Sequence, residues 1–250
     1  MMIKNVKIKN ENSNFFRSSL FFLISAFLLL AFSCSKDDPI DEPESSELSV
    51  NAKVSGKTVD KAKLQMGKPA KDKSNKPSEK FKGITHDDAS FSRDSKNVLV
   101  FKAKGKSNRS ELRYKNGFSQ DAKKTFEAKV QVVGEGKKHG GFTVMQLHND
   151  IGSGPALKIE YHGDSKGNGY FKADYRTKNG AKNKTHRLKD GTSGTFKITF
   201  NKRTVTIKGG DKDFSFTVEK NGWDGKFYWK TGAYNQKSGQ SHSKISNISW

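Results

Sequence analysis

Cysteine is almost missing from this chain of 250 residues. Cys34 stands alone, so no disulfide can form within it. No glycine-rich phosphate loop occurs, which removes the sequence grounds for a nucleotide-binding reading. His86, His139, His162, His186 and His242 are scattered without the spacings of zinc sites. No metal or cofactor is therefore expected. No internal repeat and no long amphipathic helical stripe is visible, which argues against solenoids and helical bundles. Acid is scarce too. Asp and Glu total 26 against 47 Lys and Arg, a net charge of +21. The first 48 residues hold seven acidic and five basic residues, so the remainder is more basic than the whole. Such a field steers polyanions. Nucleic acid, an anionic membrane surface and an acidic polysaccharide all fit on charge alone.

One apolar run exists, residues 20–32, broken only by Ser25. Lys4, Lys7, Lys9 and Arg17 precede it, and Ser33-Cys34 follow it. The run is short for a membrane span and suits a signal peptide. Residues 1–33 read as a lipoprotein signal, with Cys34 acylated to become the new N-terminus. The plain alternative is an ordinary secretory signal followed by an incidental thiol. Residues 34–50 are acidic, contain Pro39 and Pro43, and read as a disordered tether. Lys36-Asp37-Asp38 resembles the export tag of some Gram-negative surface lipoproteins, and also fits a solvated linker. The expectation is an extracytoplasmic protein anchored by lipid at the outer membrane. It is expected to be a monomer, with no nucleic-acid partner in that location.

From residue 51 to 250 the signals are those of one all-β domain. Residues 97–104, 125–133, 141–148, 156–161, 170–176, 195–200, 204–208 and 213–219 alternate or are rich in Val, Ile, Phe, Thr and Tyr. Gly, Asn, Asp and Lys separate them, and 23 glycines supply turns. Many short strands at this spacing predict a β-sandwich jelly roll. Segments 69–82 and 176–194 read as loops, the second able to overhang a groove.

Three segments carry polar residues at every second position: Arg109-Ser110-Glu111-Leu112-Arg113, Gln146-Leu147-His148, and the run from Tyr228 to Gln236. Successive strand side chains point to opposite faces. Arg109, Glu111 and Arg113 then share a face. Gln146 and His148 share one, and Tyr228, Lys230, Tyr234 and Gln236 share one if the last strand runs unbroken. Such a wall suits an acidic sugar. β-Elimination from a uronate needs its carboxylate neutralised, a base for the C5 proton and an acid for the leaving O4. Arg109 can grip a carboxylate bidentately and Gln146 can donate to it. His148, with an ordinary pKa of about 6.5, suits the base. Tyr234 suits the acid. Each segment also has a bland reading: an ion-pair ladder, a structural His, a packed Tyr.

The three blocks together resemble the signatures of polysaccharide lyase family 7, the alginate lyases. Arg-Ser-Glu-Leu-Arg, Gln-Leu-His and Tyr-Trp-Lys-Thr-Gly-Ala-Tyr-Asn-Gln stand in that family's order. The resemblance implies a jelly roll with a concave substrate-binding sheet, alginate as substrate and cleavage of its 1,4 bonds to unsaturated uronate ends. It implies Arg109 and Gln146 on the carboxylate, His148 as base for guluronate and Tyr234 as acid. For mannuronate Tyr234 serves as both base and acid. Glu111, Arg113, Tyr228, Lys230 and Gln236 would support or line the groove, Glu111 orienting the arginines, and Asn235 would hold the turn. Leu147 replaces the usual Ile or Val, which leaves uronate preference open with a lean to the Ile-like guluronate side. Trp229 and Thr231 replace Phe and Ala off the reactive face, where packing changes are expected. A last strand, 244–250, must close the sheet. The competing readings are a lyase for another polyuronate such as glucuronan, a non-catalytic acidic-glycan-binding jelly roll, and a basic adhesin.

Overall fold

The computed structural model describes residues 59–67, 90–94, 98–151 and 154–250. The expected signal segment, Cys34, the expected tether and the 69–82 segment lie outside the described residues. The described strands, in chain order, are β1 Ala62–Gly67, β2 Phe91–Arg93, β3 Leu99–Lys104, β4 Arg109–Tyr114, β5 Lys123–Val132, β6 Phe142–Asn149, β7 Leu157–Gly163, β8 Gly169–Tyr175, β9 Lys184–Asp190, β10 Ser193–Asn201, β11 Thr204–Lys208, β12 Phe214–Thr217, β13 Phe227–Asn235 and β14 Gln240–Ser249. One 3-10 turn, Gly134–Lys138, joins β5 to β6.

The strands form two antiparallel sheets of seven. One runs β1-β4-β13-β6-β7-β8-β9, and the other β12-β11-β10-β5-β14-β3-β2. Alternation in the sequence explains the layers. In β5, Phe126, Ala128, Val130 and Val132 are fully buried, while the residues between them face away from the core. β10 does the same with Phe196, Ile198 and Phe200. From the other sheet, Met145, Leu147, Leu157, Ile159, Tyr161, Phe171 and Trp229 meet them in one apolar cluster. Each such side chain contributes about 1.5–3 kcal/mol by leaving water. This is the jelly roll expected from the sequence.

The 176–194 segment departs from expectation. It is not simply a loop, because Lys184–Asp190 is the edge strand of the first sheet. An edge strand covers little core, and here Leu188 alone supplies an apolar side chain. The register shifts between Phe171 and Lys172, inserting Leu188 opposite no partner. That bulge hides the period-two pattern. The final strand begins at Gln240, earlier than expected, and β1 and β2 join the sheet edges.

Candidate active site

β4, β13 and β6 are neighbours at the middle of the first sheet. Leu112, Trp229, Thr231, Ala233, Met145 and Leu147 point into the core. The intervening residues must therefore face outward. The register completes the arrangement. Tyr234 lies opposite Arg109, Lys230 lies between Arg113 and Gln146, and Tyr228 lies opposite His148. Directly paired Cβ atoms sit about 4.5–5.5 Å apart. Three segments far apart in sequence thus bring Arg109, Gln146, His148 and Tyr234 to one outward face, with Tyr234 paired to Arg109 toward one end and His148 paired to Tyr228 toward the other.

β13 runs unbroken against β4 but not against β6. Its register slips between Thr231 and Tyr234, so Tyr234 meets Thr143. A matching slip occurs between Thr143 and Met145 against β7. Gln236 then donates its Nε2 to Thr143 Oγ1 at 3.1 Å. Thr231 donates its hydroxyl to the Val144 carbonyl at 2.9 Å, which explains a hydroxyl where the related motif has Ala. Gly232 lies within the slip with φ +147°, and a Cβ there would come within 2.3 Å of the Ser110 carbonyl oxygen.

Glu111 is the hub of the patch. Its Oε1 accepts a hydrogen bond from Gln146 Nε2, and its Oε2 accepts one from Lys230 Nζ at 3.0 Å. Its register partner on β13 is Gly232, so no β13 side chain stands between Glu111 and Gln146. The expected role of orienting the arginines gives way to this pair of contacts. A primary amide has two N–H donors. Glu111 takes one and fixes which end of the amide is nitrogen, leaving the second donor outside that pair. Lys230 is buried, and burial is the main cause that lowers its pKa, with Glu111 acting in the opposite sense.

Tyr228 is also buried and organises its neighbours. The Arg113 guanidinium lies 3.9 Å from its ring centre. His148 stacks on the ring at 5.2 Å with planes 16° apart. The His148 Nδ1 lies 2.7 Å from the Asn149 carbonyl oxygen. A carbonyl only accepts, so Nδ1 carries the proton and Nε2 of the neutral ring is the free base. Burial, then the charge of Lys230, lowers the His148 pKa to about 4, against the pull of the Asn149 contact. Arg113 and Arg109 push the same way. His148 is therefore a neutral imidazole across the neutral range.

Burial raises the Tyr234 pKa and Glu111 adds to it, while Arg109 and Lys158 oppose. The phenol is protonated at neutral pH. Arg109 Nε is buried with no hydrogen-bond partner among the described residues. Asn235 is structural: its Nδ2 donates to the carbonyls of Ala103, Gly105 and Gly239 at 3.1, 2.9 and 3.1 Å. Arg113 and Gln236 are half-buried, whereas Glu111, Tyr228, Lys230 and Asn235 are buried.

The outward face continues onto strands whose chemistry the sequence reading passed over. Lys158, Glu160 and His162 alternate with core residues on β7, as do Tyr170, Lys172 and Asp174 with Phe171 and Ala173 on β8. Lys158 Nζ lies 2.6 Å from Glu160 and 2.9 Å from Asp174. His162 and Lys172 also reach Glu160, at 3.2 and 3.5 Å. Burial opposes ionisation of Glu160, but the His162 contact and Lys158 hold its pKa at about 2. The alternation that marked the other blocks was present here and could have found these residues. Among the described residues no group of three or more His, Cys, Asp or Glu is placed to hold a metal ion.

Comparison with known proteins places this geometry. A comparison with curated proteins finds no match. Among solved structures, alginate lyase AlyC3 superposes with a TM-score of 0.62 at 19% identity, covering 77% of this chain and 90% of that one. Alginate lyase A1-II', a member of polysaccharide lyase family-7, gives 0.62 at 17% identity, with coverage of 76% and 94%. Alginate lyase PA1167 from Pseudomonas aeruginosa gives 0.63 at 14% identity, with coverage of 76% and 97%. At these identities the likeness is one of fold. The alginate lyase family model matches residues 59–250, nearly all of the described domain, and the chain belongs to that family.

Proposed function

We propose that Arg109, Gln146, His148 and Tyr234 are the reaction centre, and that guluronate is the preferred sugar at the cut. As an alginate lyase the chain cleaves the 1,4 bonds of alginate by β-elimination. Arg109 and the free N–H of Gln146 bind the C5 carboxylate and stabilise the charge that develops on it. His148 Nε2 removes the C5 proton. The C4–O4 bond breaks, the C4–C5 double bond forms, and Tyr234 gives its proton to O4. No metal step is needed in this scheme.

The observation that carries the reading is the pair of protonation states. His148 is neutral and Tyr234 is protonated at neutral pH. A base and an acid are then both ready, as the guluronate route needs. The mannuronate route asks Tyr234 to act first as a base, which its raised pKa disfavours. A purely glycan-binding sheet has no use for this combination, and the same argument weighs against a basic adhesin. A glucuronan lyase would share the machinery, but family membership favours alginate. The structural relatives fit as well. Solved complexes of A1-II' hold product GGG or substrate GGMG, and one of AlyC3 holds dimannuronate. The test follows ultraviolet absorbance of the new double bond on poly-guluronate, poly-mannuronate and glucuronan. Faster cleavage of poly-guluronate supports the proposal, and faster cleavage of poly-mannuronate or glucuronan overturns it.

The domain is further read as a monomer held at the outer membrane through acylated Cys34. The support is the apolar run ending at Ser33-Cys34 and a site drawn wholly from one sheet of one chain. Labelling with a fatty-acid analogue should mark the wild type and not Cys34→Ala, and light scattering should return the single-chain mass for the soluble domain.

A further inference from the structure

The second sheet takes no part in the reaction centre, and its charge is nearly all of one sign. Its seven strands hold a single acidic residue, Glu127. Alternation with core residues such as Phe101, Phe126 and Ala128 turns the intervening side chains away from the core. β3 thereby presents Lys102 and Lys104, and β5 presents Lys123 and Lys129. Among the described residues these four lysines have no ion-pair partner. β10, β11 and β14 add Lys197, Lys208 and Lys244, and each of these meets an acid. Lys197 Nζ lies 3.9 Å from Glu127, Lys208 Nζ 3.0 Å from Asp213, and Lys244 Nζ 3.5 Å from Asp94. On the first sheet, by contrast, Glu111, Glu160 and Asp174 stand among the cations and each contacts a lysine. Short polar side chains fill the space between the lysines of the second sheet. Thr199 pairs with Thr125 on one side and Thr206 on the other, and the Thr125 and Thr199 hydroxyls lie 3.5 Å apart. Among the described residues no large apolar side chain is exposed on these strands. From β11 to β3 the lysines extend over four strand steps, about 19 Å at the usual spacing of about 4.8 Å.

We propose that this lysine face docks on an anionic lipid surface and so turns the reaction centre away from the membrane. The proposal extends the reading of the chain as lipid-anchored at Cys34. The chemistry of the face selects the partner. A protein interface needs an apolar centre, and single-stranded nucleic acid needs aromatic platforms for its bases. The face offers neither. Ammonium groups on flexible stems act as point charges that can follow mobile phosphate headgroups, and the threonine hydroxyls add hydrogen bonds. One acyl chain holds a protein to a membrane only marginally, and a basic patch supplies the second signal that makes the attachment stable. The chain between Cys34 and Val59 can span at most about 80 Å, so the anchor alone does not choose which face meets the membrane. The charge does. The two sheets enclose one core, so their outward faces point in opposite directions. Docking through the second sheet leaves Arg109, Gln146, His148 and Tyr234 open to polymer in solution.

The test measures partition of the full chain between buffer and vesicles of phosphatidylcholine, alone or mixed with phosphatidylglycerol. The N-terminal segment is common to every variant, so the readout is the ratio of anionic to neutral partition. The wild type should favour the anionic vesicles, and high salt should remove the preference. Lys102→Gln, Lys104→Gln and Lys129→Gln should each lower the ratio by about fivefold, with thermal melting and cleavage of soluble substrate unchanged. Lys129→Arg should keep the ratio. Lys184→Gln and Lys226→Gln, at exposed lysines of the first sheet and its loops, should leave it as in the wild type. Equal partition into both kinds of vesicle overturns the proposal, as do equal losses from the first-sheet lysines. A ratio that survives all three glutamine substitutions, while alginate binding weakens, overturns it too and makes the face a contact for the polymer. If the ratio responds as expected but fatty-acid labelling fails to mark Cys34, the docking face stands and the anchor reading falls.

Discussion

Lys230 Nζ lies 3.0 Å from Glu111 Oε2, and both side chains are almost wholly withdrawn from water, at 5% and 2% exposure. A buried pair of this kind gives little net stability, but removing one partner leaves an uncompensated charge. Glu111→Ala should therefore destabilise the domain by about 3–5 kcal/mol. Replacing both members, Glu111→Leu with Lys230→Met, should cost less than the single change. Both variants should lose activity, because Gln146 loses the acceptor that orients its amide. Chemical denaturation reads the stability and absorbance reads the activity. A single mutant as stable as wild type would refute the account of the pair.

Tyr234→Phe should abolish turnover while leaving the melting temperature and oligosaccharide binding close to wild type. The change removes one hydroxyl from a half-buried ring and leaves the packing of β13 in place. The proton for O4 then has no donor. Retention of even a tenth of the wild-type kcat would mean that another group protonates the leaving oxygen, since general acid catalysis is worth about 10²–10⁴-fold.

The acid limb of kcat/KM on poly-guluronate should fall near pH 4 rather than near the ordinary histidine value of about 6.5. The cause is burial together with the cations of Lys230, Arg113 and Arg109. The sign for stability follows. His148 takes up a proton more readily unfolded than folded, so its contribution is present above about pH 6.5 and is lost as pH falls toward 4. His148→Ala should cost more on poly-guluronate than on poly-mannuronate. Equal losses on the two polymers would remove the division of labour between His148 and Tyr234.

The strands and the central patch were legible because each rests on a two-residue period that the chain states openly. Phe126, Ala128 and Val130 mark a core face, and Arg109, Glu111 and Arg113 mark an outward one. What the period could not show was depth. Lys230 and Tyr228 alternate correctly yet are buried, because Glu111, His148 and Arg113 from neighbouring strands close over them. Register slips were equally hidden, since the one that pairs Tyr234 with Thr143 depends on backbone fit between strands. The β10–β11 turn also escaped the glycine signal. Lys202 and Arg203 adopt φ of +45° and +74°, and strand pairing on both sides compels that geometry without a glycine.

Arg109 is the residue whose loss should be felt in the transition state rather than in the fold. Its register partner is Tyr234, the proposed acid, and its Nε finds no acceptor among the described residues. A buried guanidinium donor without a partner is costly to the free enzyme and is relieved by a substrate carboxylate. Arg109→Ala should reduce kcat by about 10²–10³-fold, the range for removing one preorganised donor from a developing anion. Arg109→Lys should recover only part of it, because an ammonium cannot grip both carboxylate oxygens in one plane. Steady-state kinetics on poly-guluronate separates the cases. A loss confined to KM would make Arg109 a group that binds ground and transition states alike, and would move charge stabilisation to Gln146.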